Sequence, residues 1–172
     1  EKGQLVIGAT RGDGSWGEDI TKNLRTITDI PETLSGNVPD IIGIRGEVYM
    51  GKGDFFALNQ RQEAAGEKPF ANPRNAASGS LRQKNSEETS KIPLNFIAYT
   101  FGYFEDNKFK LQSDFLNNLK IWGFKTNYFN MLVNTIEDIE KNYRTIETKR
   151  ASIDYDLDGL VYKLSLIHIS EP

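Results

Sequence analysis

The sequence predicts an α+β fold with mixed or mainly antiparallel sheets flanked by helices. Stretches rich in β-branched and aromatic residues alternate along the chain with amphipathic stretches of helical period. The connections between them are short, and no internal repeat is present. Short connections favour antiparallel or mixed pairing, because parallel strands need long crossovers. A chain of 172 residues is long enough for one domain with its own core.

The N-terminal part is predicted to form a strand, a loop and a helix. Residues 4–10 are rich in β-forming residues. The loop 11–17 follows with three glycines, which allow a ligand to approach closely, although a simple hairpin turn has the same pattern. A helix is predicted over about residues 18–27, with acidic residues in its first turn. Its predicted buried stripe consists of Ile20, Leu24 and Ile27.

Residues 40–50 alternate as a β-strand should. The alternation places Arg45 and Glu47 side by side on one face, opposite the face that carries Ile44 and Val48. One interpretation is an ion pair on a solvated sheet, which contributes little stability. The other is that the Glu47 carboxylate projects into a nucleotide pocket and accepts hydrogen bonds from ribose hydroxyls.

Residues 70–83 contain a helix start followed by two arginines. Asn72 and Pro73 have the residue types of an N-cap and a first helical residue. Arg74 and Arg82 are eight residues apart, which on a helix places them on one side and about 12 Å apart. Small residues between them would leave both guanidinium groups uncovered, and arginine suits bidentate recognition of phosphate. A small-residue helix in a crowded core, with both arginines as ordinary surface charges, is the alternative.

The remaining elements follow from the same periodicities. Alternation in the strand at 94–103 places Tyr99 and Phe101 on one face, where Tyr99 is either a ligand contact or a packed aromatic residue. Thr135 is predicted to cap the last helix, whose predicted buried residues are Ile136, Ile139, Tyr143 and Ile146. Further predicted elements are helices at 54–65, 113–123 (capped by Ser113) and 135–149, strands at 128–133 and 160–164, a polar loop at 84–91, and turns at 105–108 and at Asp158–Gly159.

The composition excludes several classes of function. The formal net charge is −3, whereas a nucleic-acid-binding module that works alone is usually basic. The chain has no cysteine, which excludes disulfides and thiolate metal sites and fits a reducing cytoplasm. No signal peptide or apolar run of membrane-spanning length is visible, and neither a Walker-type lysine loop nor a dinucleotide fingerprint is present. His168 is assigned no role.

The stretch Phe70–Gln83, FANPRNAASGSLRQ, closely resembles a segment in the adenylation domain of bacterial NAD-dependent DNA ligases. Four other stretches resemble motifs of that family in the same order. They are Thr10–Gly14, Ile44–Val48, Phe96–Tyr99 and Asp158–Lys163. Each stretch is weak alone, but their order and spacing make a chance match improbable.

The resemblance implies a nucleotidyltransferase fold related to ATP-grasp proteins, in an enzyme that seals nicks in duplex DNA during replication and repair. The implied cofactors are NAD, as AMP donor, and Mg²⁺, with Zn²⁺ only in a C-terminal part of the parent protein. The implied partner is nicked duplex DNA, without a membrane, and the parent is expected to be a cytoplasmic bacterial monomer. The implied nucleotide-binding residues are Arg11, Glu47, Tyr99 and Lys163, the phosphate- or DNA-binding residues are Arg74, Arg82 and Arg150, and the residue near the metal is Asp158.

The resemblance covers residues 1–164, interpreted as a partial adenylation domain, whereas residues 165–172 do not continue it and are interpreted as an artefactual tail. The family's nucleophile lies in a Lys-x-Asp-Gly motif, which is not found here. We therefore expect the catalytic lysine to lie upstream, no catalytic residue in this chain, and no activity of the chain alone. Alternatives are another nucleotidyltransferase, such as an ATP-dependent ligase or a capping-like enzyme, and a non-catalytic nucleotide- or DNA-binding module.

Overall fold

The computed structural model of the chain describes residues 1–105 and 108–166. These residues form a mixed α/β structure with one two-stranded antiparallel sheet and helices. The strands are β1 (Ile42–Tyr49) and β2 (Asn95–Phe104). The helices are α1 (Thr21–Leu24), α2 (Lys52–Ala64), α3 (Pro73–Leu81), α4 (Ser86–Ser90), α5 (Gln112–Ile121) and α6 (Ile136–Lys149), and a 3₁₀ turn spans Arg150–Ser152.

The sheet separates the core from an exposed face. Val48 pairs with Phe96 and Gly46 pairs with Ala98, and Phe96 and Ala98 are buried. Glu47 lies between these pairs and points to the opposite face, as the alternation predicted. Both strands were predicted from the sequence at nearly these bounds, and both are confirmed.

A bulge in β2 changes which side chains face the core. The neighbours Arg45 and Gly46 pair with Thr100 and Ala98, so Tyr99 is an extra residue between the two pairs. Beyond the bulge Phe101 is only 7% exposed, whereas Tyr99 is 44% exposed. The prediction that these two aromatic residues share a face was wrong, because strict alternation does not continue through a bulge.

An aromatic cluster fills the core between the sheet and α5. Phe115 and Trp122 are almost fully buried, and their ring centroids lie 6.1 Å apart in an edge-on arrangement. Phe101 contacts Phe115 edge-on at 5.0 Å. The Trp122 indole nitrogen donates to the carbonyl oxygen of Asn37 at 3.0 Å, which satisfies its polar atom. This cluster attaches α5 to the sheet, and the indole hydrogen bond attaches it to the loop before β1.

A buried carboxylate fixes the start of β2. The Asp29 side chain is 7% exposed and lies 2.6 Å from the Lys125 ammonium group. It also accepts a hydrogen bond from the Phe96 amide at 3.1 Å. Lys125 in turn contributes its carbonyl oxygen to the Ala98 amide at 2.9 Å. The ion pair therefore joins three segments distant in sequence, and within the described residues no buried side-chain polar atom lacks a partner.

Three predicted strands are absent. Residues 4–10 form only isolated bridges, Gln4 with Thr33 and Ala9 with Asp19. Residues 128–133 begin in a turn and residues 160–164 have no regular secondary structure, so neither stretch is a strand. A stretch with β-propensity becomes a strand only when another strand offers a complete ladder, and the described residues contain no such partner for these stretches.

The predicted helices are present with shifted bounds. The N-terminal helix is confined to Thr21–Leu24, with Ile20 at its N-cap; the Asp19 carboxylate accepts the Thr21 amide just before it, and tight turns follow it. Its predicted stripe is confirmed, since Ile20 and Ile27 are buried and Leu24 is partly buried. Helices α2 and α3 are confirmed, whereas α4 lies in a run predicted to be a loop.

The predictions for the two C-terminal helices were partly wrong. Leu111, not Ser113, occupies the N-cap of α5, without a side-chain cap. Helix α6 is capped by Thr135 as predicted, but of its predicted buried residues Ile136 and Tyr143 are exposed, Ile139 is partly buried and only Ile146 is buried. The predicted turn at 105–108 and the tail at 165–172, including His168, fall partly outside the described residues.

Gly46 allows the Phe96 ring to pass beneath β1. A Cβ at Gly46 would overlap that ring and lie 2.6 Å from the Ile97 carbonyl oxygen. We expect Gly46→Ala to lower the free energy of unfolding by about 1–3 kcal/mol, the usual cost of overpacking. Urea unfolding followed by circular dichroism measures this. The matched control is Gly53→Ala, where a Cβ meets nothing within 4 Å, and an equal loss in both variants would contradict the packing argument.

Candidate functional site

A cavity of about 1070 Å³ lies on the exposed face of the sheet. Its floor is the sheet, and its walls are the start of α3, one side of α5 and two segments outside the helices and strands, 126–133 and 155–165. Five of the eight candidate residues line it: Glu47, Arg74, Tyr99, Asp158 and Lys163. Those five come from four separate parts of the chain.

The floor carries a carboxylate beside an exposed phenol ring. Glu47 pairs with Ile97 across the sheet, and Tyr99 is the bulged residue two positions further along β2. Glu47 has no ion pair within the described residues, so the surface ion pair with Arg45 considered from the sequence is absent. Instead, the Arg45 guanidinium lies against Gly102. The floor therefore offers one acceptor group and one aromatic face.

Helix α3 brings Arg74 to the rim. Asn72 caps the helix by accepting the Asn75 amide at 2.7 Å, and Pro73 occupies its first turn. Three of the five small residues of the helix are buried, Ala76, Ala77 and Ser80, whereas Ser78 and Gly79 are exposed. Part of the small-residue stretch thus packs in the core, while Arg74 stays exposed at the cavity.

Three of the predicted residues do not line the cavity. Arg82 lies at the other end of α3, where its guanidinium pairs with Glu18 at 3.0 Å. Arg11 lies on the glycine loop that precedes Glu18, and its side chain is exposed. Arg150 donates a hydrogen bond to the Leu157 carbonyl oxygen at 2.7 Å and so contacts the backbone of one cavity wall.

The loop that carries Arg11 is ordered by a local carboxylate. Asp13 accepts hydrogen bonds from the amides of Ser15 and Trp16 at 2.9 and 2.8 Å. The Trp16 and Ser15 amide hydrogen bonds lower the pKa of Asp13. This carboxylate is therefore committed to the loop, while the Trp16 ring is 82% exposed.

Sequence reasoning missed the carboxamides of the cavity. Side chains of this type can both donate and accept hydrogen bonds, and they match the hydrogen-bonding edge of adenine. Apart from Asn72, which was predicted as a helix cap, no local motif marks them, because they come from α5, α6 and the loops between elements. The carboxamide residues that line the cavity are Asn72, Gln112, Asn117, Asn127, Asn130 and Asn142.

Two tyrosines join the sheet to the 155–165 wall. The rings of Tyr49 and Tyr155 meet edge-on with centroids 5.2 Å apart, and both line the cavity. Burial raises the pKa of Tyr49, and the negative charge of Asp29 adds to the effect. Burial also raises the pKa of Tyr155, and a hydrogen bond with Asn127 partly offsets this. Both phenols are held in the neutral form.

Within residues 1–105 and 108–166, no group of three or more metal-ligating side chains converges. A divalent cation held by Asp158 would therefore take most of its ligands from phosphate oxygens and water, which is the usual coordination of Mg²⁺. None of the helices in the same residues is long and apolar enough to cross a membrane.

The chain matches the family model described as "NAD-dependent DNA ligase adenylation domain" over residues 1–172. It is 51% identical to a DNA ligase of Xanthobacter autotrophicus over 170 residues, which are 98% of this chain and 24% of the relative. It is 52% identical to a DNA ligase of Roseobacter denitrificans over 164 residues, 95% of this chain and 23% of the relative. The chain thus spans about a quarter of the length of these relatives.

The tyrosine pair gives a prediction for alkaline pH. Tyr49 and Tyr155 hold their protons more tightly in the fold than in the unfolded chain, where the pKa is about 10. Their contribution to stability is present below that pH and is lost as pH rises through the higher folded values. We expect absorbance titration of the seven tyrosines to show a late phase that Tyr155→Phe reduces and that urea unfolding abolishes. A late phase unchanged in Tyr155→Phe would contradict this.

Proposed function

Because the chain belongs to the NAD-dependent DNA ligase adenylation domain family, we propose that it is a segment of a bacterial ligase that seals nicks in duplex DNA. The observation that carries this proposal is the single cavity in which Glu47, Arg74, Tyr99, Asp158 and Lys163 meet. We assign the segment to the nucleotidyltransferase fold related to ATP-grasp proteins. The parent enzyme is proposed to act as a monomer in the cytoplasm, in replication and repair.

The proposed reaction has three transfers at phosphorus. A lysine nitrogen of the parent attacks the adenylyl phosphorus of NAD and expels nicotinamide mononucleotide. The 5′-phosphate at the nick then attacks the lysine-bound AMP and releases the lysine. The 3′-hydroxyl finally attacks the 5′-phosphorus, joins the strand and releases AMP. Such transfers need alignment of reactants and neutralisation of phosphate charge.

The residues of the cavity fit the parts of an adenine mononucleotide. The exposed Tyr99 ring offers a stacking surface for adenine, and the carboxamides offer partners for its edge. Glu47 would accept hydrogen bonds from the ribose hydroxyls. Arg74 and Lys163, from two different walls, would bind the phosphate. Asp158 would hold Mg²⁺, which when bound neutralises phosphate charge.

The three candidate arginines outside the cavity are suited to contacts with DNA phosphates. Arg11 and Arg82 lie on neighbouring exposed segments joined through Glu18, and we assign both to phosphates of the nicked duplex. Arg150 uses one of its five donors on Leu157 and keeps others for a phosphate. Zn²⁺ is proposed only for other parts of the parent, since this chain has no cysteine to hold it.

Stacking on Tyr99 gives a test of nucleotide binding. Loss of base stacking by alanine substitution costs roughly 1–3 kcal/mol, so Tyr99→Ala should weaken AMP binding about 5- to 150-fold. Isothermal titration of AMP into the chain measures this. The matched control is Tyr103→Ala, which removes a tyrosine of the same strand that is 63% exposed and does not line the cavity. Equal affinities for both variants would refute the stacking role.

Covalent chemistry gives a second test. The printed sequence contains no Lys-x-Asp-Gly motif, so we expect NAD and Mg²⁺ to leave no covalent AMP on the chain. Mass spectrometry of the intact chain after incubation measures this. An adduct of AMP on any lysine would show that the chain supplies its own nucleophile and that our assignment of roles is wrong.

A further inference from the structure

The cavity wall formed by residues 155–165 makes hydrogen bonds and ion pairs to the rest of the described chain only near its two ends. Residues 158–164 carry Asp158 and Lys163 across the cavity without forming a helix or strand. Among the described residues, no hydrogen bond or ion pair joins residues 158–164 to the rest of the chain. After them, Ser165 accepts the Gln112 amide at 2.9 Å. The position of Asp158 therefore depends on what holds the residues just before it.

Asp154 binds the first turn of α2 with its backbone and its side chain. Its carbonyl oxygen accepts the Lys52 amide at 2.8 Å, and its carboxylate accepts the Gly53 amide at 3.3 Å. The N-cap residue of α2 is Gly51, which has no side chain to do this. A Cβ at Gly51 would overlap the Asp154 carboxylate. Asp154 thus caps, from about a hundred residues away, a helix that cannot cap itself.

Lys52 holds the residues on both sides of Asp154. Its ammonium group donates to the Ile153 carbonyl oxygen at 3.0 Å and lies 3.5 Å from the Asp156 carboxylate. Ile153 itself is buried. Two residues separate the end of β1 from the start of α2, and one of them, Met50, is 1% exposed. The contacts of Lys52 and Asp154 therefore tie the wall to the strand that carries Glu47.

We propose that Lys52 and Asp154 are positioning residues, which lock the wall segment onto α2 and thereby hold Asp158 and Lys163 at the nucleotide cavity. Neither side chain needs to touch the nucleotide for this role. Their effect on the nucleotide rests on the proposed function, whereas their effect on the wall does not. The two effects can therefore be measured separately.

The position of the wall is tested without a ligand. The chain has no cysteine, so spin labels can be placed at Phe56→Cys on the exposed side of α2 and at Val161→Cys on the wall. We expect Asp154→Ala and Lys52→Met to broaden the distance distribution measured by double electron–electron resonance at least twofold. Asp154→Asn keeps an acceptor for the Gly53 amide and should restore most of the narrow distribution. The matched control is Asp40→Ala, an exposed aspartate whose side chain makes no hydrogen bond or ion pair with the described residues.

An unchanged distribution in both Asp154→Ala and Lys52→Met would overturn the proposal, whatever the chain binds. If one variant fails to fold, the other still decides, because they remove different contacts.

The effect on nucleotide binding is tested with a double-mutant cycle. We expect Asp154→Ala to weaken AMP binding about fivefold, the effect of one typical hydrogen bond. Lys163→Ala should cost less affinity in the Asp154→Ala background than in the wild type, because the wall no longer holds Lys163 in place. Tyr99→Ala, on the sheet, should cost the same in both. If the effects of Lys163→Ala and Asp154→Ala on AMP affinity are additive, the positioning role is overturned. If the wild-type chain binds no AMP, the proposed function is overturned, and the spin-label distances alone decide whether Lys52 and Asp154 hold the wall.

Discussion

The antiparallel pairing of β1 with β2 is the constraint on which the rest of the structure depends. One face of this sheet packs on the aromatic cluster around Phe115 and Trp122, and the other is the floor of the cavity. The bulge at Tyr99 serves both faces, because it turns one aromatic ring towards the cavity and returns Phe101 to the core. A two-stranded sheet is marginal alone, so its stability comes from what packs against it.

Charged side chains in the core and charged side chains at the cavity have different partners. Asp29 and Lys125 form an ion pair with one partner buried, and the pair is supported by the Phe96 amide. Removing one partner of such a pair leaves a buried charge without compensation, so it serves to fix segments rather than to bind ligands. Glu47, Arg74, Asp158 and Lys163, by contrast, line the cavity without ion pairs among the described residues. Their charges are therefore available to a ligand, which we propose is a nucleotide.

The walls of the cavity are held by contacts between residues far apart in sequence. Lys52 and Asp154 are about a hundred residues apart, and Tyr49 and Tyr155 meet across a similar separation. Phosphoryl transfer depends on alignment more than on any single reactive group. For that reason residues that never touch a nucleotide can matter as much to the proposed chemistry as those that do.

The local sequence pattern was sufficient to predict both strands, the helices α2, α3, α5 and α6, and the helix caps at Asn72 and Thr135. These features depend on neighbours within a few residues. The resemblance of short motifs to the family also identified, among eight candidate residues, the five that meet at the cavity. Residues 4–10, 128–133 and 160–164 show the limit, since β-propensity alone cannot supply a partner strand. The bulge at Tyr99, the ion pair of Asp29 with Lys125 and the capping of α2 by Asp154 were decided only by the tertiary structure. Each of them joins groups whose proximity depends on the path of the whole chain, and no local sequence pattern encodes that path.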